Sequence, residues 1–379
     1  MKIGFYAPLK PPSHPAPSGD RRMARLFMAA MAGLGHEVSV ISELRSYNKT
    51  GDPATEDATA AAARAEIARL SNTWTANPAE RPDLLFTYHV YHKAADYLAP
   101  TLKARFGIPY LISEASIAPK HKSGPWAAGY AQAAGAIQAA DAILAITTLD
   151  RACLVNFVGE TKVHTFPPFL DSGPLALAAA QRQAHRQALA AKWNLPQDRP
   201  WLLAVGMMRD GDKLASYRRL AEVLKLARTA PWQMLIVGNG PERGTVEAAF
   251  SGIQNCTTFL GQLGSESLNA VYAASDIYVW PAVNEAYGMA LLEAQAAGVP
   301  VLSVATRGVP DIVRHDETGV LTASDDPQVM AQALLSLLKD TPRREAMARR
   351  ARDHVTGNLS MKAAQERLAS ILDRLVLAA

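Results

Sequence analysis

The chain has 379 residues, 49% apolar and 20% charged, with mean hydropathy −0.03: a globular composition, too long for one ordinary core and sized for two α/β domains. A net charge of +4 without a lysine-rich tract excludes a nucleic-acid signature and leaves room for anionic ligands or a peripheral membrane contact. Cys153 and Cys256 form neither zinc spacing nor a disulfide framework, and no segment reaches the roughly 20 apolar residues that span a bilayer, so a cytoplasmic protein is expected.

The chain opens on Ile3–Ala7, a buried first strand rather than a signal peptide. Arg21 and Arg22 come too late for a twin-arginine leader and belong to an amphipathic helix over Arg21–Leu34. Short apolar runs then alternate with helical patterns, the mark of a parallel sheet covered by helices. Strands are expected at Glu37–Ser42, Leu84–Tyr88, Tyr110–Ser113, Ala142–Thr147 and Val163–Phe166, and helices over Ala58–Leu70, Lys93–Arg105 and Ala127–Ala140. The proline-rich stretch Phe166–Pro174 reads as a linker. A long helix over Leu175–Trp193 leads into a second alternation. Its strands are Trp201–Val205, Met234–Val237, Thr257–Leu260, Ile277–Val279, Val301–Ser303 and Gly319–Leu321. Its helices are Ser216–Arg228, Glu242–Ala249, Ser265–Ala274, Met289–Ala297 and Pro327–Leu338. The tail is helical in pattern, with a break near Gly357-Asn358. The expected organisation is one domain over 1–170, a second over 171–358 and a closing helix over 359–379. Two doubly wound domains imply a cleft at the carboxyl ends of their strands, where open α/β sheets place ligands.

The most informative segment is Pro281-Ala282-Val283-Asn284-Glu285-Ala286-Tyr287-Gly288-Met289-Ala290-Leu291-Leu292-Glu293-Ala294. It follows a strand and opens a helix. Glu285 and Glu293 stand on the order of 10 Å apart at helical rise. A carboxylate accepts two hydroxyl hydrogen bonds at once, and the helix start at Tyr287-Gly288-Met289 offers free amides to a diphosphate. Two surface glutamates on a capped helix would look the same in isolation. The strand–turn–helix context, followed by Ala297-Gly298-Val299-Pro300, favours the binding role.

This segment resembles the E-x7-E signature of retaining GT-B glycosyltransferases of family 4, the glycosyl transferases group 1. The continuation through Arg307-Gly308-Val309-Pro310-Asp311 and Glu317-Thr318-Gly319 fits as well. The resemblance implies an α/β GT-B fold of two facing Rossmann-like domains, the second binding a nucleoside diphosphate sugar, and a closing helix that returns to the first. It implies that Glu285 binds sugar hydroxyls, Glu293 the ribose, and Arg209 and Lys213 the diphosphate. Gly206 opens that cationic loop, where Met207 replaces the arginine usual in the family. Asp210-Gly211-Asp212 in the same loop reads as a turn and helix cap rather than a metal motif. Neither metal nor cofactor is expected; the nucleotide sugar is a co-substrate. Gly238 and Gly240, in Val237-Gly238-Asn239-Gly240-Pro241, and Gln262, in Gly261-Gln262-Leu263, match nucleotide-side loops of the family. The glycine spacing of a dinucleotide fingerprint is absent, and ordinary strand-end glycines remain an equal reading.

In the first domain, Gly19 at a helix start matches the family's glycine near donor and acceptor. Glu114, in Ser113-Glu114-Ala115, stands where the family often has histidine; it either meets the sugar or acceptor, or caps a turn. Tyr88–Lys93 and Lys120–Trp126 read first as solvated loops, with acceptor contact as the second reading. The resemblance implies sugar transfer with retention to a sugar or glycolipid acceptor, in cell-surface polysaccharide or glycolipid synthesis. A nucleotide-sugar epimerase or a non-catalytic nucleotide-binding module on the same fold are the alternatives. Arg21, Arg22 and Arg25 mark the helix Asp20–Gly33 as a candidate peripheral contact with the inner face of a membrane.

Overall fold

The computed structural model describes residues 1–16 and 18–377. The chain forms two compact units, Met1–Pro167 with Met361–Ala379, and Pro168–Ser360. Among the described residues each unit holds one six-stranded sheet.

The first unit contains β1 (Lys2–Tyr6), β2 (Glu37–Ser42), β3 (Leu84–Val90), β4 (Tyr110–Ala115), β5 (Ala142–Ala145) and β6 (Val163–Thr165). They pair in parallel in the order β2-β1-β3-β4-β5-β6. The second unit contains β7 (Trp201–Val205), β8 (Gln233–Val237), β9 (Thr257–Gly261), β10 (Ile277–Val279), β11 (Val301–Val304) and β12 (Gly319–Thr322). They pair in parallel in the order β12-β11-β10-β7-β8-β9. Both are doubly wound α/β layers, and the second has the Rossmann strand order. Their near-continuous apolar strands follow from burial on both faces. Phe5 stacks on Phe86 at 5.4 Å, and Phe27, from the helix Gly19–Gly33, packs on Phe86 at 5.3 Å. Each such ring contributes roughly 1.5–3 kcal/mol by burial. The helix Met361–Leu377 packs on Gly19–Gly33, with Gln365 Nε2 donating to the Ala30 carbonyl at 3.3 Å.

Several expected boundaries are corrected. The helix expected over Lys93–Arg105 is Ala99–Phe106. Tyr91 and Ala94 form an antiparallel bridge, and the Asp96 carboxylate accepts the Leu98 and Ala99 amides at 2.8 and 3.0 Å, which ends the loop just before Pro100. Leu175–Trp193 is two helices, Gly173–Ala180 and Arg182–Trp193. The helix Thr148–Val158 was not legible, because only Leu154 of it is fully buried and no apolar stripe forms. Its signal is local: Asp150 N donates to Thr147 Oγ1 at 3.0 Å and Thr147 Oγ1 to the Asp150 carboxylate at 2.7 Å. Gly357 and Asn358 stay helical, and the break falls at Leu359-Ser360. The linker expected over Phe166–Pro174 contains the boundary between the two units, at Pro167/Pro168, and is packed: Phe166, Phe169 and Leu170 are buried, and the Leu170 amide donates to the Leu359 carbonyl at 3.0 Å.

Candidate active site

An open α/β sheet has one place where successive strands are laid in opposite directions, and the loops that leave the two flanking strands diverge there to leave a crevice. In the second unit that point lies between β7 and β10. Lys213, in the first turn of the helix Asp212–Leu226 after β7, and Glu285, in the loop after β10, meet there. Lys213 Nζ donates to Glu285 Oε2 at 2.5 Å. The Trp280 indole donates to the same oxygen at 3.2 Å, and Lys213 Nζ sits 5.3 Å from the Trp280 ring centroid. The side chains of Lys213 and Glu285 keep 21% and 17% exposure, enough for a ligand to reach them.

The Glu285 loop is braced from both sides. The Asn284 amide donates to Asp212 Oδ2 at 2.9 Å and accepts from Arg307 Nη1 at 2.6 Å. The Val283 amide donates to Ser216 Oγ at 3.1 Å, and the Gly308 amide to the Ala286 carbonyl at 2.8 Å. Ala282 and Asn284 both adopt positive φ, at 55° and 51°, so the loop is held in a conformation that the free chain would seldom visit. Gly288, at φ 82°, precedes the helix Met289–Ala296. Tyr287 is buried beneath this start and Met289 is half-buried. Asp212 is the first helical residue rather than the cap, and its carboxylate is engaged by Asn284.

Glu293 is 5% exposed, and its Oε2 accepts the Tyr272 hydroxyl at 2.7 Å. That burial differs from a surface glutamate: Tyr272, from the helix Ser265–Ala274, fixes the carboxylate. Arg209 is exposed and its guanidinium bonds to no group among the described residues. Gln262 is exposed just beyond β9.

Gly206, Gly238 and Gly240 answer first to packing between loops. The Met208 amide donates to the Asn239 carbonyl and the Gly206 amide to Val237, both at 3.0 Å. A Cβ on Gly238 would lie 1.9 Å from the Gly206 carbonyl oxygen at φ 145°, and one on Gly240 would lie 2.2 Å from that of Met208. Gly238→Ala is therefore expected to cost about 2 kcal/mol or more, from strain and overpacking together. Denaturant unfolding checks this; a midpoint equal to wild type would reject the packing role.

The first unit has its own switch point, between β1 and β3. Asp20, in the first turn after β1, and His89, near the end of β3, meet there. His89 Nδ1 lies 3.0 Å from Asp20 Oδ1 and 3.6 Å from Glu114 Oε1. The Tyr88 hydroxyl donates to Glu114 Oε2 at 2.6 Å. His89 and Glu114 both have positive φ, 65° and 58°. Burial disfavours the imidazolium, but the Glu114 charge and the Asp20 hydrogen bond outweigh it and push His89 up to about 9. Burial, with Asp20 and Asp150 adding, raises the Glu114 carboxyl against His89 and Tyr88. Asp20 is lowered: burial is outweighed by its bond to His89. The three side chains place ligand atoms within 4.8 Å of one another, a set able to hold a cation. The protonated His89 supplies that charge itself. Glu114 is engaged by Tyr88 and His89. It joins a strand-end cluster with His89 of the neighbouring β3. Gly19 opens the adjoining helix, and a Cβ on it would meet nothing within 4 Å.

Residues 185–354 match the family described as Glycosyl transferases group 1. The chain is 30% identical over 316 residues to a D-inositol 3-phosphate glycosyltransferase of Salinispora arenicola, covering 78% of this chain and 68% of that one. Its counterpart from Salinispora tropica is 31% identical, with 63% of its length covered. The chain belongs to the group 1 glycosyl transferases. Its fold is GT-B: Anabaena HepE in complex with UDP superposes with TM-score 0.75 at 16% identity, over 99% of this chain and 100% of that one. A sucrose-phosphate synthase of Thermosynechococcus elongatus superposes with TM-score 0.74 at 18% identity, over both whole chains.

The basic, aromatic loops of this glycosyltransferase are not plain solvated segments. His92 stacks on His121 at 3.7 Å, and Trp126 meets both rings edge-on at 5.7 Å. Lys93 Nζ lies 4.6 Å from the Trp126 centroid. Burial, then His121 and the lysines, push His92 down to about 4, so the stack is uncharged at neutral pH. No sequence spacing announces that pairing, since the two loops lie far apart along the chain. Two arginines of the first long helix hold its neighbouring loop: Arg21 Nη1 donates to the His14 carbonyl at 2.7 Å and Arg25 Nε to that of Pro12 at 2.8 Å. No helix of the described residues is long and apolar enough to cross a membrane.

Proposed function

We propose that this glycosyltransferase takes its sugar from a nucleoside diphosphate sugar bound by the second unit. The observation that carries this is the Lys213–Glu285 contact at the β7/β10 switch point. An arriving diphosphate competes for Lys213 and draws the exposed Arg209 with it, since charge-assisted bonds to phosphate are the stronger kind. The amides at Met289 and Ala290, at a helix start without a side-chain cap among the described residues, take the remaining phosphate oxygens. Glu285, released from Lys213, accepts the donor's sugar hydroxyls, and Glu293 the ribose at its small exposed edge. HepE, solved with UDP, supports a nucleotide in this fold.

In this reading the acceptor oxygen bonds to the anomeric carbon on the face from which the diphosphate leaves. The acceptor proton passes to a departing phosphate oxygen, and configuration is retained. Fixed cations stabilise the charge that gathers on the leaving group, so metal has no assigned step. The acceptor is a sugar or glycolipid hydroxyl. The reaction serves cell-surface glycan or glycolipid synthesis on the cytoplasmic side.

A thermal-shift panel of nucleoside diphosphates and their sugars tests the donor assignment, because a ligand raises Tm in step with its affinity for the folded state. One base is expected to stand out. Glu293→Ala should reduce that shift at least tenfold in apparent affinity, while turnover survives in chelator. Equal shifts for every base, or a Glu293→Ala protein that binds as wild type, would end the assignment.

A further inference from the structure

The sheet of the second unit has a second end. A cavity of about 360 Å³ opens at the amino ends of its strands, beside Asp276 just before β10 and Pro300 just before β11. The donor residues follow the carboxyl ends of these parallel strands, so the two sites lie at opposite edges of one sheet.

Four arginines, Arg182, Arg344, Arg349 and Arg352, line the cavity against the carboxylates of Asp276 and Glu345. Asp276 is already occupied: it accepts from Arg182 at 2.6 Å, from Arg186 at 2.9 Å and from the Trp201 amide at 2.7 Å. Arg344 is buried and directed to the Leu337 and Leu338 carbonyls and the Thr341 hydroxyl. Arg349 and Arg352 bond to nothing among the described residues. Arg352 lies over Gly298, where a Cβ would come within 2.1 Å of its Nη1. The glycine that follows the donor helix therefore makes room for a guanidinium with no hydrogen-bond or ion-pair partner among the described residues. Burial lowers the Arg182 guanidinium against the pull of Asp276, with Arg186 and Arg352 adding smaller repulsions. The helix Thr341–Asn358 begins at the same wall and adds the positive end of its dipole.

Guanidinium forks match phosphate oxygens two at a time, and a cavity of this size admits a phosphate with a small organic body. We propose that this cavity is a second ligand site, for a phosphate-bearing anion, held by Arg349 and Arg352 with Arg182 behind them. It stands apart from the donor reading, and does not depend on it.

Calorimetric titration of the full chain with inorganic tripolyphosphate tests the site. A saturable event is expected that Arg349→Ala/Arg352→Ala weakens at least tenfold and that Arg209→Ala/Lys213→Ala leaves in place. Neither arginine makes a hydrogen bond or ion pair among the described residues, so the Tm of the first double variant should hold. Arg349→Glu, a single exposed change, serves as the second variant and should weaken the event further than Arg349→Ala. Sedimentation with phosphatidylcholine vesicles carrying phosphatidic acid separates the sources. Capture that the Arg349/Arg352 variant loses assigns a lipid phosphate; titration without capture assigns a soluble one. The absence of a saturable event with both probes, or an event that these variants do not move, overturns the proposal.

Discussion

Lys213→Met is expected to lower kcat by about 10²–10³-fold, the scale on which removal of one preorganised donor acts on a charge-developing step. The lysine has two tasks that fail together. Without ligand it holds Glu285 in place at 2.5 Å; with donor it would carry phosphate charge. Methionine keeps an unbranched side chain of similar length and removes the ammonium that lies over Trp280, so the charge is deleted with little change in volume. KM for the donor should change far less than kcat, because a cation that meets growing negative charge binds the transition state more than the ground state. Arginine at 213 should not restore the rate, since its planar fork does not match a single-point contact. Steady-state kinetics decide it: a kcat within threefold of wild type would remove Lys213 from the chemistry.

His89→Ala is expected to reduce stability by about 3 kcal/mol near neutral pH, which for a unit of this size lowers Tm by roughly 5–10 °C. The magnitude follows from linkage. His89 is raised from the ordinary 6.5 to about 9 in the folded chain. A base with a raised folded value stabilises fully below its unfolded value and loses that contribution as pH rises through the folded one. Wild type should thus be level below pH 6.5 and lose stability as pH climbs toward 9, whereas His89→Ala should show no such slope. Removing one member of a buried charged cluster leaves the others uncompensated, and such losses run to about 3–5 kcal/mol. Glu114 and Asp20 would be left facing each other, so Glu114→Gln added to His89→Ala should recover part of the loss. Melting curves from pH 6 to 10 on the single and double variants test this; a pH slope that persists without His89 would refute the assignment.

Much of the fold was legible because parallel strands buried on both faces are written as apolar runs. Glu37–Ser42, Trp201–Val205 and Ile277–Val279 lie where their residues place them. What failed were segments governed by something other than a hydrophobic period. The helix Thr148–Val158 depends on its Thr147 cap, and the loop before Ala99 on the Asp96 carboxylate. Glu285 was visible through its strand–turn–helix setting. His89 was not, because its partner Glu114 lies 25 positions onward and only strand pairing joins them.

The sequence by itself determined the alternation of strands and helices, the two doubly wound units and the family signature around Glu285. These are local and periodic properties, set by which residues can be buried together. Only the tertiary structure decided which charges meet. Strand order is not encoded in spacing, and it is strand order that brings Lys213 to Glu285 and His89 to Asp20 and Glu114, while packing of the helix Arg182–Trp193 near the helix Thr341–Asn358 adds Arg182 to the cavity lined by Arg344, Arg349 and Arg352. Electrostatic interaction falls off with distance in space and takes no account of separation along the chain.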